Sequence, residues 1–311
     1  MRVLVLGATG MLGHMVACWL SKGCQGRYSV TGTYTGPLHR DLGDRMVSTG
    51  SVDEMKLFEY GVSSLESLIV DNAYAYVINC IGVIKPMIDE SDIESVSNAI
   101  SVNSLLPHEL AKHTERSGSN VIQIATDCVY SGNINEKESY PFNAAHDCMD
   151  VYGRTKSLGE VMGQSHFKNI RCSIIGPEIN EHNKSLYSWI KYQAAKEVSG
   201  WYSHKWNGVT TLAFAKVCDG IMRNSPSAFN AMSSCENLCP SDRTNKRDLL
   251  RAICMASGRG DIDVVDSISG AAVNRTLIST EATRRLWGYA GYHRAPSISE
   301  LMIELARFVS A

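Results

Sequence analysis

The stretch that decides the fold is Gly7-Ala8-Thr9-Gly10-Met11-Leu12-Gly13. It follows the apolar run Arg2–Leu6, which is typical of a buried strand, and it opens the segment Met11–Ser21, whose apolar spacing is typical of a helix. Glycines at such a junction permit a tight turn and let backbone N–H groups approach a phosphate, whose charge the helix N-terminus favours. The spacing is G-x-x-G-x-x-G, not the commoner G-x-G-x-x-G. We predict that this turn binds the pyrophosphate of a dinucleotide, through Gly7, Thr9, Gly10, Met11, Leu12 and Gly13.

The rest of the first half continues the alternation of strand and helix. The further predicted strands are Tyr28–Thr33, Tyr76–Asn79, Val121–Ala125 and Ile170–Ile175. The further predicted helices are Asp53–Glu59, Ser97–Ser117 and Tyr152–Gln164. This order predicts a Rossmann-type α/β fold, a doubly wound parallel sheet with helices on both faces.

After about residue 176 the pattern loosens. The helices predicted there are Trp189–Val198, Leu212–Met222, Asp248–Ala256 and Ser297–Phe308. We therefore predict a dinucleotide-binding domain at residues 1–175 that carries the catalytic residues, and a smaller α+β substrate-binding region at 176–311. The boundary is soft, because later segments are able to return to the main sheet.

The composition excludes several classes of function. Apolar residues make up 44% and charged residues 20% of the chain, and 30 basic against 32 acidic side chains give a net charge of −2. That balance predicts no nucleic-acid or anionic-membrane partner. No apolar stretch approaches the roughly 20 residues of a membrane span, and a glycine interrupts the first apolar run too early for a signal peptide. Ten scattered cysteines without a C-x-x-C pair predict reduced thiols, no metal site and a cytoplasmic location. A homodimer is left open.

The end of the second predicted strand, Gly32-Thr33-Tyr34-Thr35, indicates which dinucleotide binds. An acidic residue there would bind the ribose 2′-hydroxyl and repel a 2′-phosphate, and this stretch contains none. The hydroxyl groups of Thr33 and Tyr34, with Arg40 close by in sequence, suit a 2′-phosphate better. NADPH is therefore favoured, with NADH as the alternative. Asp53 is a candidate acceptor for the adenine amino group and equally a candidate helix N-cap.

Tyr152 and Lys156 form the candidate acid–base pair. Their spacing places both side chains on one face of a helix. Two other pairs share that spacing, namely Tyr187 with Lys191 and Tyr192 with Lys196. Position separates the first pair from the others, because its helix follows Thr126, which lies at the carboxyl end of the predicted strand Val121–Ala125. Parallel sheets place their ligands at that edge.

The chemistry of ketone reduction explains the choice of residues. The reaction adds a hydride to carbon and a proton to the developing alkoxide. A tyrosine with a pKa of about 10 is a poor acid–base group at neutral pH, and an adjacent ammonium lowers that pKa. We expect Lys156 to tune Tyr152 in this way and to bind the nicotinamide ribose, while Thr126 orients the carbonyl oxygen. Thr126, Tyr152 and Lys156 are the predicted catalytic residues.

Taken together, the motifs resemble a known group of enzymes. Besides the glycine turn they are Asn79-Cys80-Ile81-Gly82, Thr126-Asp127-Cys128-Val129-Tyr130-Ser131-Gly132 and Tyr152-Gly153-Arg154-Thr155-Lys156. They are similar to those of the extended short-chain dehydrogenase/reductases, and the last two point to the dTDP-4-dehydrorhamnose reductase branch. The resemblance implies NADPH-dependent reduction of the C4 keto group of a 4-keto-6-deoxyhexose carried on dTDP or UDP, in deoxysugar and polysaccharide precursor biosynthesis. It also implies that Cys80, Ile81 and Gly82 contact the cofactor.

The resemblance also implies a set of substrate-binding residues. They are Lys85, Asn103, Thr126, Ser173, Thr210 and Thr211. Asn103 occupies the position where the family places a supporting asparagine, although an ordinary polar helix residue explains it equally well. Lys85 could meet a substrate phosphate or hydroxyl, and a solvated surface lysine is an equal alternative.

Three alternatives compete with a simple reductase. A 4,6-dehydratase of the same superfamily needs a glutamate where this chain has Cys128, so dehydration is disfavoured. A bifunctional epimerase–reductase would resemble GDP-fucose synthases, which place a catalytic cysteine at the position of Cys128, and would use His182 as a second acid–base group. The third alternative is a non-catalytic NADP-binding regulatory subunit. The presence of Thr126, Tyr152 and Lys156 together argues against that alternative.

Overall fold

The structure is a computed structural model that describes residues 1–24, 26–34, 56–59, 65–179, 184–267 and 272–310, with only the backbone described at 56–59. The strands are β1 (Arg2–Leu6), β2 (Ser29–Tyr34), β3 (Lys56–Glu59), β4 (Tyr76–Asn79), β5 (Asn120–Ala125), β6 (Phe167–Arg171), β7 (Ile174–Ile175), β8 (Glu197–Trp201), β9 (His204–Trp206), β10 (Val209–Thr210), β11 (Cys235–Asn237), β12 (Thr244–Asn245), β13 (Asp263–Ser267) and β14 (Val273–Asn274). The α-helices are α1 (Met11–Cys18), α2 (Leu65–Val70), α3 (Ile93–Ile100), α4 (Leu106–Ser117), α5 (Val151–Leu158), α6 (Leu186–Lys191), α7 (Thr211–Arg223), α8 (Ser227–Asn230), α9 (Lys246–Ala256), α10 (Glu281–Tyr289) and α11 (Ile298–Ser310).

A seven-stranded sheet in the order β3-β2-β1-β4-β5-β6-β11 forms the centre of the fold. All neighbouring strands in it run parallel. The strand order reverses between β1 and β4, which is the point where open α/β sheets bind ligands at the carboxyl ends of their strands. The predicted doubly wound parallel sheet is confirmed.

The core lies on both faces of this sheet, as the alternation of side chains along β1 requires. Val3 and Val5 belong to one buried cluster, which also contains apolar residues of α1 and α7. Leu4 and Leu6 belong to a second buried cluster, which contains apolar residues of α2 and α4. Residues 3–6 are completely buried, which explains why this strand is continuously apolar.

The second half of the chain contributes to the main sheet. Strand β11 pairs in parallel with β6 and forms the outer strand there. The other strands of this half form small sheets, in which β8 pairs with β13, and β9 pairs with β12 and β14. The boundary at 175 stays a prediction, and the return of a later segment to the main sheet, which we left open, does occur.

Several predicted elements differ from the structure. The helix predicted at Asp53–Glu59 is wrong for its last four residues, because β3 occupies Lys56–Glu59 and pairs with the edge of β2. The helix predicted at Trp189–Val198 is α6 followed by β8, since β8 finds a parallel partner in β13. The helix predicted to reach Gln164 ends at Leu158, where Gly159 packs so closely that a Cβ there would lie 1.9 Å from the Asn103 carbonyl oxygen.

Candidate functional site

The glycine turn joins β1 to α1 with close backbone packing. Gly7 has φ +74°, a conformation that favours glycine. A Cβ on Gly13 would lie 2.0 Å from the Gly7 carbonyl oxygen, so α1 can start against the turn only because Gly13 lacks one. Gly10, the N-cap of α1, is exposed. The turn therefore presents bare backbone at a helix N-terminus, which is the arrangement that binds a phosphate.

Thr33 supports the turn from the neighbouring strand. Its side chain is 1% exposed, and its hydroxyl accepts a hydrogen bond of 3.0 Å from the Gly7 amide. The Thr33 hydroxyl thus faces the turn itself, and its assignment as a cofactor contact stays a prediction. Tyr34 ends β2 and is half-buried. Arg40 and Asp53 lie outside the described residues, so their assignments stay predictions.

The loop after β4 lies against the glycine turn. A Cβ on Gly7 would lie 3.0 Å from Ile81 Cγ1 and 3.5 Å from the carbonyl carbon of Cys80. The next residue, Gly82, reaches the candidate catalytic helix, since a Cβ there would lie 3.9 Å from Lys156 Nζ. The Cys80–Gly82 loop therefore connects the predicted phosphate turn with Lys156.

Thr126, Tyr152 and Lys156 come together at the carboxyl end of β5. The Thr126 hydroxyl caps the short 3₁₀ helix Asp127–Val129 by accepting from the Cys128 amide at 3.1 Å. It donates to Asp127 Oδ1 at 3.3 Å, and the Tyr152 side chain lies close enough to it to influence the Tyr152 pKa. Lys156 lies one turn further along α5, and its Nζ donates to the Ile124 carbonyl oxygen at 3.1 Å.

Burial shifts the pKa values of both the Tyr152 phenol and the Lys156 ammonium. It raises the pKa of the Tyr152 phenol, Cys128 raises it further, and the Thr126 side chain acts in the opposite direction. The expectation of a lowered tyrosine pKa is therefore wrong for this structure, because desolvation is the largest cause. Burial also lowers the pKa of Lys156 from 10.5 to about 8, although the nearby Glu160 carboxylate counteracts it.

The predicted substrate-binding residues divide into two groups. Asn103 is 1% exposed and its amide bonds to Val83 and Thr155, at 2.9 Å to both Val83 backbone groups and at 3.2 Å to the Thr155 hydroxyl. Thr210 caps α7 by accepting from the Ala213 amide at 3.2 Å. The polar groups of both residues have partners in the fold, and their assignment as substrate contacts stays a prediction.

The other substrate candidates lie at different depths. Thr211 is fully buried and so close to Gly176 that a Cβ on this glycine would lie 2.1 Å from Thr211 Oγ1, and its assignment stays a prediction. Ser173 is half-buried and accepts 2.8 Å from Trp206 Nε1. Lys85 is exposed and forms a 3.0 Å ion pair with Asp150, the N-cap of α5. Lys85 and Ser173 stay predictions.

The surroundings of Cys128 bear on the epimerase alternative. Burial raises the pKa of its thiol to about 12, and the neighbouring Asp127 carboxylate adds to the effect. A proton-abstracting base would need the thiolate, which this environment disfavours. His182, the second group of that alternative, lies outside the described residues.

The sequence did not reveal a buried ion pair next to the end of α5, the candidate catalytic helix. Glu160 follows α5 and accepts from Arg171 at 3.0 Å to Nε and 2.7 Å to the NH2 nitrogen, with both side chains at most 4% exposed. Arg171 also donates to the Tyr130 hydroxyl at 2.9 Å. A buried Arg–Glu pair gives no local sequence signal, because its members lie on a strand and a loop that meet only in the fold.

Two general findings concern the described residues as a whole. They contain no cluster of three or more His, Cys, Asp or Glu side chains arranged to hold a metal ion. Within the same ranges, every helix is too short or too polar to span a lipid bilayer.

Comparison with solved structures identifies the fold. The chain is similar to a dTDP-4-dehydrorhamnose reductase from Clostridium acetobutylicum, with a TM-score of 0.72 and 17% identity over 100% of both chains. A dTDP-4-dehydrorhamnose reductase from Bacillus anthracis in complex with NADP gives a TM-score of 0.68 and 15% identity, over 100% of this chain and 99% of that one. A dTDP-glucose 4,6-dehydratase from the same organism, in complex with NAD, gives 0.74 and 12%, over 100% and 96%.

The sequence also matches a family model, although no curated protein matches it significantly. A family model described as the RmlD substrate binding domain matches residues 1–175, which include the glycine turn, Thr126, Tyr152 and Lys156. The predicted resemblance to extended short-chain dehydrogenase/reductases of the dTDP-4-dehydrorhamnose reductase branch is confirmed. Because the match covers more than half of its residues, the chain belongs to the RmlD substrate binding domain family.

Proposed function

We propose that the protein is an NADPH-dependent reductase that acts on the C4 keto group of a 4-keto-6-deoxyhexose carried on dTDP or UDP. The observation that carries the proposal is the placement of Thr126 at the carboxyl end of β5 beside Tyr152, with Lys156 one turn further along α5 and held over the same strand by its 3.1 Å bond to the Ile124 carbonyl oxygen. A proton donor, a second hydroxyl and an ammonium thus lie together at the carboxyl edge of the sheet. The family match supports the reductase class.

The residues present fit a dinucleotide. The glycine turn would hold the pyrophosphate, because Gly10 is exposed and has no side chain to keep a ligand away from the backbone. The turn is tight there, since a Cβ on Gly10 would lie 3.3 Å from the Gly7 carbonyl oxygen. Lys156 would hold the nicotinamide ribose, and the Cys80–Gly82 loop would form a wall beside it. The bound cofactor would supply the hydride. NADPH is preferred because β2 ends in a tyrosine without an acidic neighbour in Gly32–Tyr34.

The protein side of the reaction is a proton transfer. Tyr152 donates its phenolic proton to the ketone oxygen as the carbonyl carbon becomes a secondary alcohol, and the phenolate is reprotonated from solvent. Because burial raises the pKa of Tyr152, the phenol is fully protonated before the reaction and able to act as an acid. The Thr126 hydroxyl orients the ketone oxygen, and the Lys156 ammonium stabilises the phenolate that forms.

Replacement of Tyr152 by phenylalanine tests the proposal. We expect Tyr152→Phe to lower kcat for NADPH oxidation by 4-keto-6-deoxy nucleotide sugars by about 10²- to 10⁴-fold, the usual contribution of a general acid. Cofactor binding, measured by fluorescence titration, should stay near normal. The measurement is a panel of dTDP- and UDP-linked 4-keto-6-deoxysugars with NADPH and with NADH.

The chain offers a matched control. Tyr192 has the same spacing to a lysine but is 60% exposed, so Tyr192→Phe should keep full activity. Turnover by Tyr152→Phe equal to that of the wild type would overturn the mechanism. Dinucleotide binding without turnover on any substrate of the panel would favour a regulatory subunit instead.

A further inference from the structure

Three buried amide side chains cross the middle of the sheet next to the candidate site. Asn79 of β4, Gln123 of β5 and Asn169 of β6 are direct partners in the strand register. Each is at most 2% exposed. A buried amide without hydrogen-bond partners is costly, so the bonds that these side chains make are strongly constrained.

The three amides form a continuous chain of hydrogen bonds. Asn79 Oδ1 accepts from the Ile81 amide at 3.1 Å, and its Nδ2 donates to Gln123 Oε1 at 2.8 Å. Gln123 Nε2 then donates to the Gly159 carbonyl oxygen at 2.7 Å and to Asn169 Oδ1 at 3.2 Å. Gln123 is thus the link between the Cys80–Gly82 loop and the residue that ends α5.

Strand β5 consequently holds α5 at two points. One is the carbonyl oxygen of Ile124, which accepts from Lys156 Nζ at 3.1 Å. The other is the side chain of Gln123, which donates to Gly159. Since Lys156 and Gly159 are nearly one helical turn apart, the two contacts together fix both the rotation and the height of this end of the helix over the strand.

We propose that Gln123 is a positioning residue of the reductase. It touches neither the predicted cofactor positions nor the reacting atoms. It holds the Tyr152–Lys156 helix and the Cys80–Gly82 loop in one fixed relation. The proton donor Tyr152 and the cofactor bound by Lys156 then lie next to the same substrate carbonyl group. The proposal rests on the proposed function of this site.

Gln123→Met tests it, because methionine keeps the length of the side chain and removes its hydrogen bonds. A displacement of about 1 Å in catalytic groups can cost about a hundredfold in rate. We expect kcat to fall about 10- to 100-fold, while KM for NADPH and for the nucleotide sugar changes less than about twofold. The control is Asn274→Leu, which also removes a buried amide, one that donates 2.9 Å to each of the Asn135 and Glu138 carbonyl oxygens. It should lower stability and leave kcat unchanged.

A second measurement needs no substrate. Amide hydrogen exchange of the full chain should show faster exchange, by about tenfold, at residues 80–83 and 151–159 in Gln123→Met and not in Asn274→Leu. Unchanged protection of both segments, or an equal loss of kcat in the two variants, would overturn the positioning role. Absence of turnover in the wild type would count against the proposed function, and the exchange result would still decide about Gln123.

Discussion

Lys156 carries its charge in a buried position, and replacing it with methionine should stabilise the fold while removing the activity. The side chain is 8% exposed, and burial lowers the pKa of its ammonium from 10.5 to about 8. A shift of this size corresponds to about 3 kcal/mol of unfavourable free energy for the charged form in the folded state. Methionine keeps most of the aliphatic chain and removes the charge.

The net effect is smaller than the charge term. Lys156→Met also loses the hydrogen bond to the Ile124 carbonyl oxygen, which offsets about 1 kcal/mol. We therefore expect the free energy of unfolding to rise by about 2 kcal/mol at pH 7. Ketone reduction should fall to background at the same time, because the ammonium that we propose to bind ribose and to stabilise the Tyr152 phenolate is gone.

The pH dependence makes the prediction specific. The pKa of Lys156 is lower in the folded state, so the unfolded chain binds more protons than the folded chain between about pH 8 and 10.5. The wild-type free energy of unfolding therefore rises as pH increases through that window. Urea denaturation from pH 7 to 11 should show the advantage of Lys156→Met shrinking and then reversing. Lys191→Met, at an exposed lysine with the same Tyr-x-x-x-Lys spacing, should show no such change. A variant less stable than the wild type at pH 7, or an advantage that stays constant with pH, would refute the reasoning.

Two further predictions concern the frame of the site. Glu160→Gln leaves the buried Arg171 charge uncompensated and should lower the free energy of unfolding by about 3–5 kcal/mol in chemical denaturation. Replacing Glu160 and Arg171 together with methionine should recover most of the loss. A cost below about 1 kcal/mol for the single variant would contradict this. Gly13→Ala drives a Cβ into the Gly7 carbonyl oxygen and should weaken NADPH binding more than about tenfold in a fluorescence titration. Gly288→Ala, where a Cβ meets open space, is the control, and equal affinities in the two variants would show that the turn tolerates the methyl group.

The central strands could be predicted because burial on both faces requires a continuously apolar run of residues. Arg2–Leu6 and Tyr76–Asn79 have the predicted bounds, and their interior residues are completely or almost completely buried. Lys56–Glu59 has no such signal. Its four residues alternate poorly, and the free edge of β2 decides their conformation through backbone pairing. Edge strands of this kind are set by their neighbours more than by their own side chains.

The candidate catalytic residues were also readable, because their spacing and order along the chain reflect where strands end. The hydrogen-bond partners of Thr33, Asn103 and Thr210 within the fold were not. An amide or hydroxyl group has the same chemistry whether it meets a ligand or a backbone group, and only its burial and partners in the fold decide. Gln123 was missed for a related reason, since its partner Gly159 lies 36 residues away in sequence.

Strand β11 has a consequence for how the chain is made. The sheet that positions Thr126 and Lys156 has its outer edge at β6 covered by residues 235–237. During synthesis, every residue of the candidate site leaves the ribosome before that cover exists, and until then β6 presents unpaired backbone N–H and C=O groups of the kind that recruit other chains. A nascent chain stopped near residue 175 therefore contains the whole family motif set but an unfinished sheet. The sheet beside the candidate site is complete only once residues 235–237 have been made.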